Sequence, residues 1–273
     1  MMFTANAPIG VLDAGFGGYT VVKELQRIVP QESIVFYGDG KNQPYGNRQR
    51  EEIVHLTKQC LSFLQKKEVK VVAVGCNTIS TLIDEYQNDF PFKIFSIVRA
   101  GSDALIQQHP KKVIMLSTMF TAQSGCYERY IHAECPDIEV IPQGSKWLAR
   151  LIEDGDFNKR KIAEELKASL GHAVELHPDV DTLILGCTHF PLVKDIIVEL
   201  YPQFTHLINP AAVQAQQVKE YLEKSDLLSD NGTGDLQIYT TSDCAVYTRL
   251  ANVVGLHMTA PVKLAPAPVT LRT

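Results

Sequence analysis

Two short stretches in different parts of the chain have nearly the same sequence. Residues 71–78 read VVAVGCNT, and residues 183–189 read LILGCTH. Each is an apolar run followed by Gly, Cys and small polar residues, a pattern typical of a buried strand that ends in a loop before a helix. The repeat therefore predicts two α/β units, each with a cysteine at the carboxyl end of a buried strand.

Short apolar runs alternate with helical patterns along the rest of the chain. They are rich in Val and Ile, which favours parallel sheets covered by helices on both faces. The segment from residue 260 onward contains three prolines, which predicts an extended and loosely held tail. We predict strands at residues 9–13, 34–38, 69–75, 94–98, 113–117, 139–141, 182–186, 207–208 and 237–240.

Apolar side chains at helical spacing predict an amphipathic helix after each repeated motif. Asn77 and Thr78 are suited to cap the first helix, and Pro191 is suited to begin the second. Asp243 is suited to cap a last helix that runs through Leu250. The two apolar faces consist of Ile79, Leu82, Ile83 and Tyr86, and of Val193, Ile196, Ile197 and Leu200.

Length and charge narrow the class of protein. The 273 residues suffice for two domains that each bury a core. The net charge is −5, and the sequence has no run of Lys and Arg that would favour binding to nucleic acid or a membrane surface. The chain starts without a signal-peptide pattern and has no run of about 20 apolar residues, so we predict a cytoplasmic protein. Its six cysteines form no CxxC pair and are expected to be reduced thiols.

The candidate catalytic and binding residues lie at the carboxyl ends of the predicted strands. Ligands of open α/β sheets bind beyond the carboxyl ends of the strands, and these ends hold Asp13, Asp39, Cys76, Thr118 and Cys187. Two thiols that face one substrate suit the inversion of a stereocentre, because one sulfur can remove a proton from one face while the other returns a proton to the opposite face. We expect the helix after each cysteine to lower the pKa of its thiol.

A cysteine at a strand end can also be a small buried apolar residue without a chemical role. The matched sequence contexts of Cys76 and Cys187 favour a functional pair over that alternative. The other cysteines lack this context and are predicted to be structural: Cys60, Cys126, Cys135 and Cys244.

Polar residues beside the two cysteines fit the same site. Asn77, Thr78 and Thr188 offer hydrogen-bond donors for a substrate carboxylate, although the first two are equally suited to helix capping. Asp13 could hold a substrate ammonium or orient a thiol, or it could be an ordinary turn aspartate. The glycines at residues 15–18 form only an incomplete phosphate-loop pattern.

Two further ionisable residues have competing interpretations. His189 could share a proton with the nearby Cys187 thiol, cap a helix or belong to a zinc site. No second ligand pair of suitable spacing follows, so we do not expect a metal. Glu153 could be a further acid, or a solvated carboxylate before a turn.

Taken together, these motifs resemble the glutamate racemase family over nearly the whole chain. The order of the two cysteine motifs and their combination with the amino-terminal signature make the resemblance specific. The matching segments are residues 8–18 (PIGVLDAGFGG), 37–39 (YGD), 44–46 (PYG), 76–78 (CNT), the Thr/Ser-rich segment 118–127, Glu153, 186–189 (GCTH) and 238–241 (IYTT).

The resemblance implies a fold, an activity and a setting. The fold is two similar α/β domains with mainly parallel sheets and the active site at their interface. Residues 1–98 and 209–273 would form the first domain, and residues 99–208 the second. The family interconverts L- and D-glutamate without a cofactor and supplies D-glutamate for peptidoglycan. A homodimer is expected, and no nucleic-acid or membrane partner.

The resemblance also assigns roles to residues. Cys76 would take the proton from D-glutamate and Cys187 from L-glutamate, with Asp13 assisting the first thiol and His189 and Glu153 the second. The residues implied to bind substrate are Ala14, Pro44, Tyr45, Gly46, Asn77, Thr78, Thr118, Thr121 and Thr188.

Three departures from the family pattern leave two alternatives open. Ala14 stands where the family usually has Ser, residues 99–101 (RAG) replace a Pro-Gly, and residues 209–210 (NP) replace an Asp-Ser. One alternative is a racemase for aspartate or another acidic amino acid. The other is a homologue that binds an amino acid and has lost turnover.

Overall fold

Two parallel sheets form the framework of the computed structural model, which describes residues 3–230 and 232–271. The larger sheet has the strand order β10-β9-β2-β1-β3-β4, and every registered strand pair in it is parallel. Its strands are β1 (Ile9–Asp13), β2 (Ile34–Gly38), β3 (Val71–Val74), β4 (Lys93–Ser96), β9 (Leu236–Thr240) and β10 (Lys263–Leu264).

The smaller sheet is built from the middle of the chain. Its order is β6-β5-β7-β8, again with every registered pair parallel. The predicted fold class, two α/β units with parallel sheets, is confirmed, whereas the domain boundaries at residues 98 and 209 stay a prediction. The strands are β5 (Lys112–Thr118), β6 (Glu139–Ser145), β7 (Thr182–Gly186) and β8 (His206–Ile208).

Helices cover both sheets, as expected for strands that are apolar on both faces. They are α1 (Tyr19–Ile28), α2 (Arg50–Lys66), α3 (Asn77–Ser80), α4 (Ile97–Gln108), α5 (Met119–Gln123), α6 (Cys126–His132), α7 (Leu148–Glu153), α8 (Lys159–Leu176), α9 (Lys194–Leu200), α10 (Pro210–Lys224) and α11 (Cys244–Val254). Within residues 3–230 and 232–271, none of these helices combines the length and apolarity needed to span a membrane.

The helix predicted after Cys76 is wrong in its length. Only the four residues of α3 are α-helical, and two 3₁₀ turns, Ile83–Glu85 and Gln87–Asp89, follow. The predicted apolar face is nevertheless buried, because Ile79 and Tyr86 lie in the core under the larger sheet. Burial of these side chains accounts for the apolar spacing without a continuous helix.

The carboxy-terminal tail is held more firmly than its prolines predict. β10 pairs with β9 at the edge of the larger sheet, the Tyr37 hydroxyl donates to Pro266 O at 2.9 Å, and Gln59 exchanges two hydrogen bonds with the backbone of Val269. Proline lacks the backbone N–H that a central strand donates to its neighbours. It is tolerated in an edge segment, because an edge strand has no neighbour on one side. The expectation of a loosely held tail is therefore wrong for the described part of this segment.

One buried side chain fixes the strand ends from which Cys76 emerges. Gln214 of α10 is fully buried, and its Nε2 donates to Val74 O and to Phe95 O, both at 2.9 Å. Val74 is the last residue of β3, and Phe95 is the residue before the end of β4. α10 thereby ties the position of the Cys76 loop to the core.

At the amino ends of the strands in the larger sheet, a buried ion pair between Lys70 and Glu32 holds neighbouring segments together. Lys70, just before β3, donates from Nζ to Glu32 Oε2 at 2.6 Å, to Leu227 O at 2.8 Å and to Ala5 O at 2.5 Å. The other oxygen of Glu32 accepts the amide of Ser229 at 2.7 Å. Both charged side chains are at most 1% exposed.

We predict that Lys70→Met lowers the free energy of unfolding by about 3–5 kcal/mol, because it leaves the Glu32 carboxylate buried without a cation. Adding Glu32→Gln should recover a large part of this loss, since the unpaired charge is then removed. Urea unfolding of the two single variants and the double variant measures both effects. Equal losses in Lys70→Met and in the double variant would contradict this account.

Candidate active site

A cavity lies between the carboxyl ends of the two sheets. The strand ends of β1, β3, β5 and β7 all contribute to it, so the rule for open α/β sheets applies to both halves of the chain. All of the predicted site residues line it except Glu153 and Thr121, which contact residues of its wall. The lining residues from the prediction are Asp13, Ala14, Pro44, Tyr45, Gly46, Cys76, Asn77, Thr78, Thr118, Cys187, Thr188 and His189.

The two cysteines enter the cavity from different sheets. Cys76 follows β3 and Cys187 follows β7, and each thiol is buried apart from its access to the cavity. Burial raises the pKa of the Cys76 thiol well above its usual range, and negative charge on Asp13 and Cys187 raises it further. Amide donors from Ile79 and Ala14 oppose this without reversing it. The predicted lowering of the Cys76 pKa by the helix that follows it is therefore wrong.

His189 lies between Cys187 and Glu153. Its Nδ1 is 3.5 Å from Cys187 Sγ, and its Nε2 is 2.6 Å from Glu153 Oε2. Burial alone would lower the pKa of His189, but its hydrogen bonds to Cys187 and Glu153 raise it well above the usual 6.5. These two hydrogen bonds therefore favour the protonated imidazole, with Nδ1 facing the Cys187 sulfur and Nε2 facing the Glu153 carboxylate.

Glu153 is not the solvated carboxylate that one interpretation of the sequence suggested. Its side chain is 11% exposed and accepts the backbone amide of Phe16 at 3.2 Å and the Tyr247 hydroxyl at 3.5 Å. Phe16 and Tyr247 belong to the segments around the larger sheet, whereas Glu153 ends α7 beside the smaller one. Its carboxylate thus orients His189 and joins the two halves.

Asp13 ends β1 and faces the second cysteine motif. Its Oδ1 accepts the amide of Gly15 and its Oδ2 accepts the Thr188 hydroxyl, each at 3.0 Å. Burial raises the pKa of Asp13 to about 6, although the positive charge of His189 and these two hydrogen bonds pull it down. Asp13 is therefore a turn aspartate and also a group that exchanges protons near neutral pH.

Donors for a carboxylate surround Cys76. Asn77 Oδ1 accepts the Tyr127 hydroxyl at 2.8 Å, while the buried Asn77 Nδ2 has no acceptor among the described residues. The Thr78 and Thr118 hydroxyls share a hydrogen bond of 3.1 Å, and Thr118 donates to Thr121 at 3.0 Å. Neither Asn77 nor Thr78 caps α3, because Cys76 occupies the cap position. The capping interpretation is wrong for both.

The glycines after Asp13 permit close contact between the halves. A Cβ on Gly15 would lie 2.4 Å from Glu153 Oε2, and a Cβ on Gly17 would lie 2.5 Å from Thr188 Oγ1, well inside van der Waals contact. The ring of Phe16 packs edge-on against His189 at 5.1 Å. This packing accounts for the glycine pattern without a bound phosphate.

Four lining residues were not among the predicted site residues, and one of them, Gly15, belongs to the glycine segment just described. Gln43 donates to Ala14 O at 2.8 Å, and Ala149 and Arg150 lie on α7. Since residues three and four apart share a helix face, the spacing of Ala149 and Arg150 from Glu153 is a signal that would have found them. Gln43 gave only the weaker signal of preceding the 44–46 motif.

Asp39 does not line the cavity, so its predicted position at a ligand-facing edge is wrong in detail. Its buried carboxylate accepts the hydroxyls of Tyr45 and Thr241, each at 2.7 Å, and the amide of Asn42. These bonds fix the ring of Tyr45 and hence the loop of Gly46. Asp39 supports the cavity wall from behind.

Of the three departures from the family pattern, only Ala14 lines the cavity. Arg99 instead pairs with Asp84 at 3.0 Å and lies over the ring of Tyr130, and Asn209 caps α10. In the part of the chain that the structure describes, no group of three or more His, Cys, Asp and Glu side chains is placed to hold a metal ion.

Comparisons with known proteins match this arrangement along the chain. Residues 9–218 match the sequence profile of the Asp/Glu/Hydantoin racemase family. Glutamate racemase 2 of Caldanaerobacter subterraneus subsp. tengcongensis is 35% identical over 250 residues, which cover 91% of this chain and 93% of that protein. A glutamate racemase isoform of Bacillus anthracis superposes with a TM-score of 0.90 at 29% identity, over 97% of this chain and all of that one. The glutamate racemase of Francisella tularensis, solved with D-glutamate, superposes with a TM-score of 0.88 at 28% identity, over 96% of this chain and 98% of that one.

The raised pKa of Asp13 predicts that Asp13→Asn stabilises the ligand-free protein. The folded chain holds a proton that the unfolded chain releases, so ionisation of Asp13 opposes folding as the pH rises from about 4 through 6. The difference between a pKa of about 6 and the usual 3.8 lowers the free energy of unfolding by about 3 kcal/mol at pH values above this range.

We expect Asp13→Asn to raise the free energy of unfolding by roughly 2 kcal/mol near pH 7.5, with the gain falling below about 1 kcal/mol near pH 4. Urea unfolding at both pH values measures the difference. A variant that is less stable than the native chain at the higher pH would show that the hydrogen bonds to Gly15 and Thr188 outweigh the burial of the charge.

Proposed function

The chain belongs to the Asp/Glu/hydantoin racemase family and interconverts L- and D-glutamate, and we propose that Cys76 and Cys187 are its two bases, acting on opposite faces of the α-carbon. The observation that supports this most directly is that the two thiols come from different sheets and line one cavity. A single base would need only one of them. Opposed thiols allow one to remove a proton while the other donates one.

The two thiols have unlike surroundings: Cys187 lies beside His189, and Cys76 lies near Asp13. In the reaction from L-glutamate, Cys187 acts as the base: its thiolate removes the α-proton, forming an S–H bond as the C–H bond breaks. Cys76, whose pKa burial raises, is the thiol and donates its proton to the other face. After this reaction, D-glutamate lies between Cys76, now the thiolate, and Cys187, now the thiol.

Reaction from D-glutamate needs the opposite protonation states. Cys76 must lose a proton and Cys187 must carry one. His189 can give its proton to Cys187, because the two atoms are 3.5 Å apart. Asp13, with its pKa near 6, is the group beside Cys76 that can take up the other proton. Glu153 keeps His189 oriented in both directions.

The charge that develops on the substrate α-carboxylate needs donors. Asn77 Nδ2 is buried with no acceptor among the described residues, so a carboxylate there would supply its missing partner. The hydroxyls of Thr78 and Thr188 would complete this group by turning from their present acceptors, Thr118 and Asp13. Thr118, which lies next to Gly46, and its hydrogen-bond partner Thr121 suit the side-chain carboxylate. These contacts strengthen as charge moves onto the carboxylate oxygens in the transition state.

The wider setting follows from the family. D-Glutamate from this reaction would supply peptidoglycan synthesis, which takes its precursors from the cytoplasm. The homodimer and the cytoplasmic location predicted from the sequence stay predictions. Ala14, which lines the cavity without a hydroxyl, is the position at which an altered preference for another acidic amino acid would arise.

We predict that Cys76→Ala and Cys187→Ala each lower the racemisation rate of both enantiomers by at least about 10³-fold, because either change leaves one face without an acid or base. Circular dichroism of L- and D-glutamate solutions follows the reaction. Cys135→Ala is the matched control, since it removes a half-buried thiol that does not line the cavity.

The control should keep the native rate, and all three variants should keep the native circular dichroism in the far ultraviolet. Full turnover by either cavity variant would rule out the two-thiol mechanism. If the native protein racemises aspartate faster than glutamate in the same assay, the chain is a racemase for another acidic amino acid. If it binds glutamate without exchange of the α-hydrogen, it is a homologue that has lost turnover.

A further inference from the structure

A second cavity of about 230 Å³ adjoins the first on its outer side. The two cavities share wall residues, so the outer one continues the inner one toward solvent. We call the outer one the mouth cavity. The residues that line both are Pro44, Gly46, Thr118, Ala149 and Arg150, and those that line only the mouth cavity are Asn47, Met119, Ser145, Lys146 and Trp147.

Two cations line the mouth cavity, Arg150 and Lys146, and two carboxylates lie beside it: Asp154 pairs with Arg150, and Glu165 accepts the Ser145 hydroxyl at 2.7 Å and the Trp147 amide at 3.0 Å. Arg150 is half exposed and pairs with Asp154 through Nε at 2.8 Å, which leaves the rest of its guanidinium group available to a ligand. Lys146 lies over the ring of Trp147, with Nζ 5.2 Å from its centre, and forms no ion pair with any residue that the structure describes.

The inner cavity differs in its charged groups. Its ionisable groups are Asp13, Tyr45, the two thiols, Arg150 at the border with the mouth cavity, and His189, which is hydrogen-bonded to the Glu153 carboxylate. Arg150 is the one Lys or Arg among the described residues that line it. A dicarboxylate with a net charge of −1 therefore approaches a centre that carries negative groups of its own. A cation at the mouth offsets that repulsion.

We propose that the mouth cavity is a capture site for the acidic substrate, and that Arg150 and Lys146 determine its preference for anionic amino acids. The inference rests on the proposed function for the identity of the substrate. A carboxylate of the incoming substrate contacts the two cations before the substrate passes Gly46 and Thr118 into the inner cavity. Clefts that focus charge in this way raise the rate of association and depend on ionic strength.

The chain offers a direct probe of this cavity. Trp147 is its single tryptophan and is 52% exposed, so its fluorescence reports on the mouth cavity without contributions from elsewhere. A ligand between Lys146 and Arg150 changes the surroundings of the indole ring. This signal does not require turnover.

The test compares Arg150→Gln, Lys146→Gln and the double variant with Arg160→Gln. Arg160 pairs with Glu164 four residues ahead, as Arg150 does with Asp154, but it lines neither cavity. Arg160→Gln therefore removes the same charge and the same kind of ion pair. Titration with D-glutamate, L-glutamate and the uncharged analogue L-glutamine is followed by Trp147 fluorescence, and KM and kcat are measured for both enantiomers of glutamate.

We expect glutamate, and not glutamine, to change the fluorescence of the native protein. Arg150→Gln and the double variant should raise KM about three- to tenfold while kcat changes less than about twofold. The KM of the native enzyme should rise between about 20 mM and about 300 mM salt, and that of the double variant should depend less on salt. Arg160→Gln should match the native enzyme in each measurement.

Equal KM values for the double variant and Arg160→Gln at low salt would overturn the inference, as would an equal fluorescence response to glutamine and glutamate. Failure of the proposed function would look different. The native protein would then show no change of optical rotation with glutamate, and the fluorescence titrations would still decide whether the mouth cavity captures acidic amino acids.

Discussion

The contact of Glu153 with both His189 and the Phe16 amide is the interaction on which the arrangement of the site depends. One carboxylate group orients the imidazole beside Cys187 and accepts a backbone donor from the other half of the chain. The contact is possible only because Gly15 has no side chain where the carboxylate lies. The glycine-rich loop, the histidine and the glutamate therefore form one unit, and a change in any of them moves one thiol relative to the other.

The repeated strand-Gly-Cys sequence produces two thiols in unlike surroundings. Cys187 lies beside the buried imidazole of His189, whereas Cys76 lies near the buried Asp13, whose negative charge together with burial raises the pKa of the Cys76 thiol. A racemase must work in both directions, and the difference between the thiols has to be small enough to reverse within the site. Asp13 and His189 are the two groups that can move the charge between the states, and the hydrogen bond from Thr188 joins Asp13 to the second cysteine motif.

The sequence was most informative where local pattern and position in the fold coincide. Apolar runs ending in Gly-Cys predicted the strands, the parallel sheets and the edge that holds Asp13 and both cysteines. The sequence was least informative about properties that depend on contacts between segments far apart in the chain, such as pKa values and the lining of the cavity. The pKa of Cys76 is raised by burial and by Asp13 from another strand, which outweigh a helix of four residues. Gln43 and Arg150 likewise reach the cavity only through tertiary packing.

The claim at the centre of this account is that protons are removed and returned by different thiols, and the fate of the α-hydrogen in D₂O tests it most directly. Each pure enantiomer is incubated with the enzyme for a small fraction of the approach to equilibrium, and NMR measures α-deuterium in substrate and product separately. Two thiols predict product that carries deuterium and recovered substrate that keeps its α-proton, from both enantiomers. Product that retains the original α-proton, or recovered substrate that gains deuterium as fast as product forms, would contradict the two-thiol mechanism.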